Sequence, residues 1–258
     1  MASLMLTWLD EHTQFPATSL AWTQETSAPG LLAASEHLSL ERLRAAYAKG
    51  IFPWYSAGQP VLWWSPDPRM VLPVQSLRLS SSLRKQLRRF IRDPGCEIRF
   101  DGDFEAVIAG CAQRPGSARH NTWIVSEMAQ AYTAWHRAGQ VHSVETWIDG
   151  ELAGGLYCVN LGRMVFGESM FSRRTDASKI ALAALVAWCI THGITLIDCQ
   201  QHTTHLASLG AREVPRGVFE AHLQQTVDSP VPGAWVYDAS MWEALPWERS
   251  RSGPDSTL

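Results

Sequence analysis

Apolar residues recur at helical spacing in five stretches of the chain, and this spacing predicts five helices. The first follows Ser39, where Leu40, Leu43 and Tyr47 lie three or four residues apart and Gly50 supplies a stop. The other four helices are predicted over about 81–92, 104–113, 127–138 and 178–192. Ser126 and Gly139 are the expected start and stop of the fourth, and shorter helices are expected as far as about residue 226.

The apolar period changes to two between the fourth and fifth helices, which is typical of strands. Strands are predicted over 142–148, 152–159 and 164–170, and another over 195–199. Asp149-Gly150 and Asn160-Leu161-Gly162 are suitable turns between the first three. The first 38 residues are expected to be irregular, and the proline- and tryptophan-rich stretch 51–69 is expected to form a rigid aromatic loop.

This order of elements indicates an α/β (α+β) protein with a mixed sheet flanked by helices. It is typical of the acyltransferase fold that many acetyl-CoA enzymes share, here called GNAT-like. We predict a small N-terminal domain over 1–68, a GNAT-like domain over 69–248 and a disordered tail over 249–258. The fold alone does not name a substrate.

Composition narrows the class of protein. A chain of 258 residues that is 46% hydrophobic can bury a full core, and its net charge of -3 argues against a polycation. Five cysteines with no C-x-x-C pair favour reduced thiols in a cytosol. The N-terminus lacks the basic start of a signal peptide, and the longest apolar run, 180–190, is too short to cross a bilayer.

Basic residues are concentrated on the predicted helix 81–92, which has no acidic residue until Asp93. They form two neighbouring stripes and comprise Arg84, Lys85, Arg88, Arg89 and Arg92. A solvated helix face is the ordinary explanation of such a run. In an acidic protein, however, this local patch is also where contact with a nucleic acid would have to occur.

Several short motifs occur in a fixed order along the chain. They are Gly50-Ile-Phe-Pro-Trp54, Leu62-Trp-Trp-Ser-Pro-Asp-Pro-Arg69, Thr122-Trp-Ile124, Gly167-Glu-Ser-Met-Phe-Ser172, Ala177-Ser-Lys179, Leu196-Ile-Asp-Cys-Gln200 and Ala207-Ser-Leu-Gly210. Together they resemble the leucyl/phenylalanyl-tRNA–protein transferases, a bacterial enzyme family, from about Pro29 to Leu223. One departure is Ala34-Ser-Glu-His-Leu-Ser39, which stands where the family usually has Gly-Gly-Asp-Leu-Ser.

The resemblance implies a transferase with a particular pair of substrates. The donor is a tRNA charged with Leu, Phe or Met, and the acceptor is a protein or peptide that begins with Arg or Lys. The transfer marks the acceptor for degradation, and the family uses no cofactor. The basic helix is then expected to contact the tRNA backbone, which carries little sequence information.

Such a reaction is the aminolysis of an activated ester. An α-amino group has a pKa of about 7.7–8.0, so a useful fraction is neutral near pH 7. The enzyme therefore needs to position the reactants, to accept a proton and to stabilise developing charge.

Asp198 and Gln200 are the expected catalytic residues. They stand at i and i+2 near the end of a predicted strand, so their side chains leave the same face. By resemblance, Asp198 orients or deprotonates the acceptor amine and Gln200 hydrogen-bonds the reacting groups. Helix capping by Asp198 and a solvent-facing Gln200 are the plain alternative. Replacing Asp198 with Ala is expected to lower transfer strongly and to leave the fold intact.

Six further residues are expected to bind substrate. Glu168 is expected to lie between Phe166 and Met170 on the same face of an apolar strand, where a carboxylate is costly unless it is paired. By resemblance it binds the α-amino group or orients the donor ester, and the alternative is an ion pair with Arg173 or Arg69. The apolar donor pocket is expected to be formed by Trp54, Trp123, Leu156, Met170 and Ile197, although core packing explains each one about as well.

Two other functions and a metal site are possible in principle. An acyl-CoA-dependent N-acyltransferase usually has a glycine-rich loop before its long helix, but residues 173–178 contain no glycine. A non-catalytic tRNA-binding module would leave Asp198 and Gln200 without a purpose. Cys199, His202 and His205 match no standard zinc spacing, so no metal is expected.

Overall fold

The structure is a computed structural model that describes residues 6–113 and 124–247. The helices are α1 (Leu40–Tyr47), α2 (Ser81–Arg92), α3 (Phe104–Ala112), α4 (Ser126–Arg137), α5 (Ala177–Thr191), α6 (Thr204–Ser208) and α7 (Arg216–Thr226). The strands are β1 (Thr7–Leu9), β2 (Leu31–Ser35), β3 (Phe52–Pro53), β4 (Val61–Trp64), β5 (Arg69–Pro73), β6 (Cys96–Phe100), β7 (Val141–Ile148), β8 (Glu151–Leu161), β9 (Met164–Ser172), β10 (Leu196–Asp198) and β11 (Arg212–Val214).

The strands form two sheets. The first has the order β1-β2-β4-β3, and the second has the order β11-β5-β10-β9-β8-β7-β6. Strands β1 and β2 are parallel, as are β9 and β10, and the other pairs are antiparallel. Mixed sheets with helices packed against them confirm the predicted α/β (α+β) architecture.

The N-terminal part departs from the sequence prediction. The first 38 residues are not irregular throughout, because β1 pairs with β2 and all five residues of β2 are buried. Both strands are short, and β2 is apolar almost throughout, so neither shows the alternation that predicts a strand.

The stretch 51–69 was also wrongly predicted to be a loop. It contains β3 and β4, and Trp63 in β4 donates its indole N–H to Ser35 Oγ at 2.9 Å. Its prolines are compatible with a sheet because of where they stand: Pro53 is on the edge strand β3, and Pro60 precedes β4. Tertiary pairing therefore overrides the local breaker signal. Strands β6 and β11 were missed as well.

The helix predictions are more accurate than the strand predictions, and α2 spans the predicted residues. Its N-cap Ser80 accepts a hydrogen bond from Leu83 N, and Ser39 caps α1 by accepting one from Arg42 N. Ser126 is not a cap, because it is the first residue of α4 and Val125 precedes it. Within the described residues, no helix is both long enough and apolar enough to span a membrane.

Two apolar clusters cover the two faces of the seven-stranded sheet. Successive residues of β8 belong to different clusters, with Leu156 in one and Tyr157 in the other. The first cluster, here the α1 cluster, includes α1, α3, α4 and the N-terminal sheet. The second, the α5 cluster, includes α2, α5 and the 3₁₀ helix Ala239–Ala244.

The chain passes from the first sheet to the second between Trp64 and Arg69. This change supports a boundary near residue 68, while the domain limits 1–68 and 69–248 stay a prediction. The two parts share the α1 cluster, in which Trp63 and Tyr157 are both fully buried. The tail predicted over 249–258 lies outside the described residues.

Candidate active site

A buried ion pair lies at the end of β10. Asp198 is the last residue of this strand, and Arg69 is the first residue of the neighbouring β5. Arg69 Nε donates to Asp198 Oδ1 at 2.8 Å, and Nη2 donates to Oδ2 at 2.6 Å. Both side chains are at most 1% exposed. This two-point geometry fixes the orientation of both groups.

Arg69 also contacts a backbone carbonyl and two aromatic rings. Its Nη1 donates to the carbonyl of Gly50 at 2.9 Å, and its guanidinium lies 5.0 Å from the Phe52 ring and 4.6 Å from the Phe219 ring. Gly50 has φ +72, and a Cβ there would lie 2.8 Å from the Phe219 ring. The glycine of the Gly50-Ile-Phe-Pro-Trp motif therefore allows its carbonyl to accept from Arg69 while the Phe219 ring packs closely.

Gln200 is positioned by Asp198 through its backbone. Gln200 has φ 57, and its N–H donates to Asp198 Oδ1 at 3.1 Å, while its carbonyl accepts from Met70 N at 3.2 Å. Its amide Nε2 donates to Glu168 Oε1 at 3.3 Å. Asp198 thus faces protein donors on both oxygens and is fully buried. This arrangement suits a group that orients Gln200 better than one that takes a proton from substrate.

Glu168 lies beside Gln200 and close to two aromatic hydroxyls. Tyr132 Oη donates to Glu168 Oε2 at 3.4 Å, and the Tyr132 and Tyr47 hydroxyls are 2.6 Å apart. The pKa of Glu168 is raised to about 8, mainly by burial and also by the Asp198 charge, although the Tyr47 and Tyr132 hydroxyls and the Arg69 charge oppose the rise. The site therefore holds a carboxyl that exchanges its proton near neutral pH.

The ion pairs expected as the alternative role of Glu168 are not seen. Arg69 pairs with Asp198, and Arg173 donates to the carbonyl of Leu152 instead. Burial also raises the pKa of Tyr47 and of Tyr132 well above the usual value, so both remain neutral donors. Glu168 is consequently held by neutral groups, without a direct cationic partner among the described residues.

A bulge changes which side chains share a face of β9. The register of β8 and β9 shifts between Tyr157 and Cys158, opposite Glu168. Phe166 belongs to the α1 cluster, whereas Met170 packs against the α5 cluster. The expectation that these two residues share a face with Glu168 is therefore wrong, because simple alternation does not survive the bulge.

Strand β10 ends before it reaches this bulge of β9. The two strands pair only at Ile197 with Val165 and at Asp198 with Phe166, and residues 167–171 of β9 are half-exposed. Three predicted pocket residues lie on the α5 side of the sheet: Leu156 pairs with Met170, and Ile197 belongs to the same cluster. Leu156 and Ile197 are buried there, whereas the tyrosines that contact Glu168 belong to the α1 cluster, so the role of these three residues in a donor pocket stays a prediction.

The structure does not place either of the two predicted pocket tryptophans next to Glu168. Trp54 is 40% exposed, and its ring packs edge-on against Trp64 at 5.3 Å. The structure places it at the surface, beside the strand that carries Phe52. Trp123 lies outside the described residues, so its assignment stays a prediction.

The sequence analysis missed Tyr47 and Tyr132 of this site, and it considered Arg69 only as a partner of Glu168. Arg69 ends one of the quoted motifs and could have been proposed as the partner of Asp198 from charge alone. The tyrosines look like ordinary core positions of amphipathic helices, and both are indeed buried. No local pattern marks their contact with Glu168.

The predicted basic residues lie along one shallow groove on α2. It is lined by Ser81, Arg84, Lys85, Arg88, Arg89, Arg92, Asp93 and Trp247. All five bases except the half-buried Arg84 are exposed. Over the ranges 6–113 and 124–247, none of the five forms an ion pair. Their charge is therefore available to a partner outside the chain.

No group of three potential metal ligands is found in the part of the chain that the structure describes. The site holds an oriented amide beside a carboxyl whose pKa is raised to about 8, which are groups suited to positioning and proton transfer. Such groups beside a mixed sheet are compatible with the class of transferases that act on an acyl group.

Comparison with known proteins identifies the family. Residues 71–224 match the description "Leucyl/phenylalanyl-tRNA protein transferase", and residues 36–67 match the N-terminal domain of the same family. A transferase of this name from Leptothrix cholodnii is 59% identical over 244 residues, which cover 93% of this chain and 95% of the relative. Another, from Methylibium petroleiphilum, is 60% identical over 252 residues, covering 97% and 94%. The chain belongs to the leucyl/phenylalanyl-tRNA protein transferase family.

Similarity to solved structures is weak. A GCN5-related N-acetyltransferase from Kribbella flavida covers 66% of this chain and 58% of its own, at 11% identity and a TM-score of 0.34. A similarity at this level supports no statement about substrate.

Proposed function

We propose that this protein transfers an amino acid from a charged tRNA to the α-amine of an acceptor protein. The single observation that carries the proposal is the hydrogen bond of 3.3 Å from Gln200 Nε2 to Glu168 Oε1, with Gln200 oriented by Asp198. We further propose, as the resemblance of the motifs implies, that Leu, Phe or Met is the donated residue, that the acceptor begins with Arg or Lys, and that the transfer marks it for degradation. A cytoplasmic location fits a supply of charged tRNA.

The reaction forms an N–C bond and breaks the C–O bond to the terminal ribose. In our proposal, the amide oxygen of Gln200 accepts a hydrogen bond from the incoming amine, since among the described residues it accepts none from protein. This contact would align the nitrogen with the ester carbonyl, which is the effect that positioning contributes to the rate.

Proton transfer falls to Glu168 in this proposal. Its carboxylate takes a proton from the attacking nitrogen, and a proton is returned to the departing ribose oxygen. A pKa of about 8 suits both steps, because the group gains and loses a proton at little cost near neutral pH. Asp198 is then a positioning residue that acts through Gln200, with Arg69 as its partner.

The donor side chain is proposed to bind beside residues 167–171 of β9, which are partly exposed and are not paired with β10. By resemblance, the pocket is proposed to be formed by Leu156, Met170, Ile197, Trp54 and Trp123. An apolar pocket separates side chains by only ~1–3 kcal/mol per methylene, so Leu, Phe and Met should all be accepted.

The tRNA itself is proposed to contact the groove on α2. The exposed bases Lys85, Arg88, Arg89 and Arg92, together with Arg84, support binding to phosphates. Such contacts hold the tRNA without reading its sequence.

An acyl-CoA donor is less well supported, for reasons at the start of α5. The first backbone N–H groups of this helix are already used: Ala177 N donates to Arg174 O, and Ser178 N donates to Ser172 Oγ. Asp176 also precedes the helix and pairs with Lys179 at 2.7 Å. A pyrophosphate at this helix terminus would meet a carboxylate in place of free donors.

A transfer assay tests the proposal. The protein is incubated with leucyl-tRNA and a peptide that begins with Arg, and the peptide mass is measured. A gain of one leucine is expected, and matched peptides beginning with Ala or carrying an acetylated N-terminus should gain none. Transfer from acetyl-CoA with no transfer from leucyl-tRNA would overturn the proposal in favour of an acyl-CoA-dependent enzyme.

A further inference from the structure

Trp247 forms one wall of the basic groove, although it lies 163 residues after Arg84. Its carbonyl accepts a hydrogen bond from Arg84 Nη1 at 3.0 Å. The Arg88 guanidinium lies 5.8 Å from the centroid of its ring, within the range of a cation–π contact. The C-terminal segment thus contacts two of the five bases on α2.

This segment is itself fixed to the core. Met241, Trp242 and Leu245 are buried in the α5 cluster. Trp247 then turns back onto the segment, because its Nε1 donates to Trp242 O at 2.7 Å and its backbone N donates to Leu245 O at 2.8 Å. The position of the indole is therefore set by contacts with the core and does not depend on the bases that it touches.

The ring has little free surface for direct stacking on a nucleobase. It is half-buried and packs against the α5 cluster, and Arg88 lies over it. Contact with a tRNA would have to pass through the arginines that the ring and the carbonyl hold. Trp247 has the geometry of a positioning residue.

We infer that Trp247 is a positioning residue of the tRNA-binding groove, which holds Arg84 and Arg88 in place to meet phosphates. This inference rests on the proposed contact between α2 and tRNA. An arginine is long and flexible, and ordering it before binding lowers the entropy lost when it meets a phosphate. The groove would then be partly preorganised by a segment remote in sequence.

The first test replaces Trp247. Trp247→Ala should weaken binding of intact tRNA by about two- to fivefold at constant salt, the amount expected when an exposed cation–π interaction is removed. Trp247→Phe should restore most of the affinity, since it keeps an aromatic ring beneath Arg88. Trp8→Ala, which removes an exposed tryptophan on β1, serves as the matched control and should bind like wild type. Unchanged binding by Trp247→Ala would overturn the inference.

The second test asks whether Trp247 acts through the arginines. In a chain carrying Arg84→Ala and Arg88→Ala, adding Trp247→Ala should cause no further loss of tRNA affinity. If Trp247→Ala lowered tRNA affinity as much in this variant as in wild type, a positioning role would be contradicted. Transfer from a 3′ aminoacyl-adenosine fragment should be the same in all these variants, which shows that the fold and the site are intact.

The same measurements separate this inference from the proposed function. If Arg84→Ala with Arg88→Ala leaves tRNA binding at the wild-type level, the contact between α2 and tRNA is wrong, and the inference falls with it. If the arginine variant weakens binding but Trp247→Ala does not, only the role of Trp247 is refuted.

Discussion

The two regions that carry the proposed function use charge in opposite ways. At the end of β10, Arg69 and Asp198 are buried, bonded at two points and clamped between aromatic rings. On α2, the basic side chains are mostly exposed and have no ionic partner in the described residues. Buried paired charge orients neighbouring groups, whereas exposed unpaired charge attracts a polyanion over a distance. The difference suggests that one region aligns the reaction and the other recruits the large substrate.

The largest expected effect comes from breaking the buried pair. Arg69→Ala should reduce the free energy of unfolding by ~3–5 kcal/mol, because Asp198 is left as an uncompensated buried charge. Asp198→Ala should be comparably harmful, which corrects the expectation from sequence that this change spares the fold. Urea unfolding followed by circular dichroism measures both effects.

A double replacement separates stability from orientation. Arg69→Met with Asp198→Leu removes both charges and should recover much of the lost stability. Transfer should remain lost, because Gln200 no longer has its backbone partner. Transfer near the wild-type rate in this double variant would show that the ion pair does not position the site.

Removing the Gln200 side chain should have the next largest effect. Gln200→Ala should lower the rate of transfer by roughly 100-fold, the scale of a misplaced reactant. Gln200→Gly is the matched variant, because it loses the same side chain but tolerates φ 57 without strain. It should be about 1 kcal/mol more stable than the alanine variant and equally slow. A wild-type rate in either variant would remove Gln200 from the mechanism.

Glu168 should make the stability of the protein depend on pH. Between about pH 4.5 and 8, the folded protein holds a proton on Glu168 that the unfolded chain has released. The unfolded state then binds fewer protons, so stability falls as pH rises through this window, by at most ~1.4 kcal/mol per pH unit. Glu168→Gln removes this contribution. The free energy of unfolding of the variant, relative to that of wild type, should therefore increase from pH 5 to 8.

Thermal unfolding of both proteins across this range measures the difference. Glu105→Gln, at an exposed carboxylate on α3, is the control and should track wild type. Parallel stability curves for wild type and Glu168→Gln would contradict a raised pKa at this position.

The smallest effect at moderate salt is expected on α2. Arg88→Glu with Arg92→Glu should weaken binding similarly for different tRNAs. It should also flatten the dependence of affinity on salt, by about 0.7–0.9 in the log–log slope for each phosphate that is no longer neutralised. Arg44→Glu with Arg137→Glu makes the same change in net charge on α1 and α4. A tRNA-specific decrease in affinity would indicate that these side chains read bases instead.

These two regions also differ in how far the sequence predicts them. The extent of α2 and its basic stripes follow from local spacing, because the apolar residues Leu83, Leu87 and Phe90 mark the buried face. The same helical spacing places the bases on the opposite, exposed face and puts Ser80 at the N-cap. The helix and its bases are therefore readable from one window of sequence, whereas the contact of Trp247 with Arg84 and Arg88 is not.

The reaction site is assembled from segments far apart in the chain. Arg69 reaches Asp198 across 129 residues, and Tyr132 reaches Glu168 across 36. The positive φ of Gln200 and the bulge at Glu168 are also tertiary features. Asp198 and Gln200 could be proposed from the family motifs. The argument from strand spacing was wrong, because β10 ends at Asp198 and Gln200 lies beyond it with φ 57. The partners that orient them, and the face to which Met170 turns, could not be proposed.

One experiment tests the division between the two regions most directly. Transfer to a peptide beginning with Arg is measured with two donors, intact leucyl-tRNA and the 3′ leucyl-adenosine fragment, for wild type, Gln200→Ala and Arg88→Glu with Arg92→Glu. Gln200→Ala should lose activity with both donors. The reversal on α2 should lose it only with intact tRNA. Equal losses with both donors in the α2 variant, or a fragment reaction that Gln200→Ala leaves unchanged, would contradict the account.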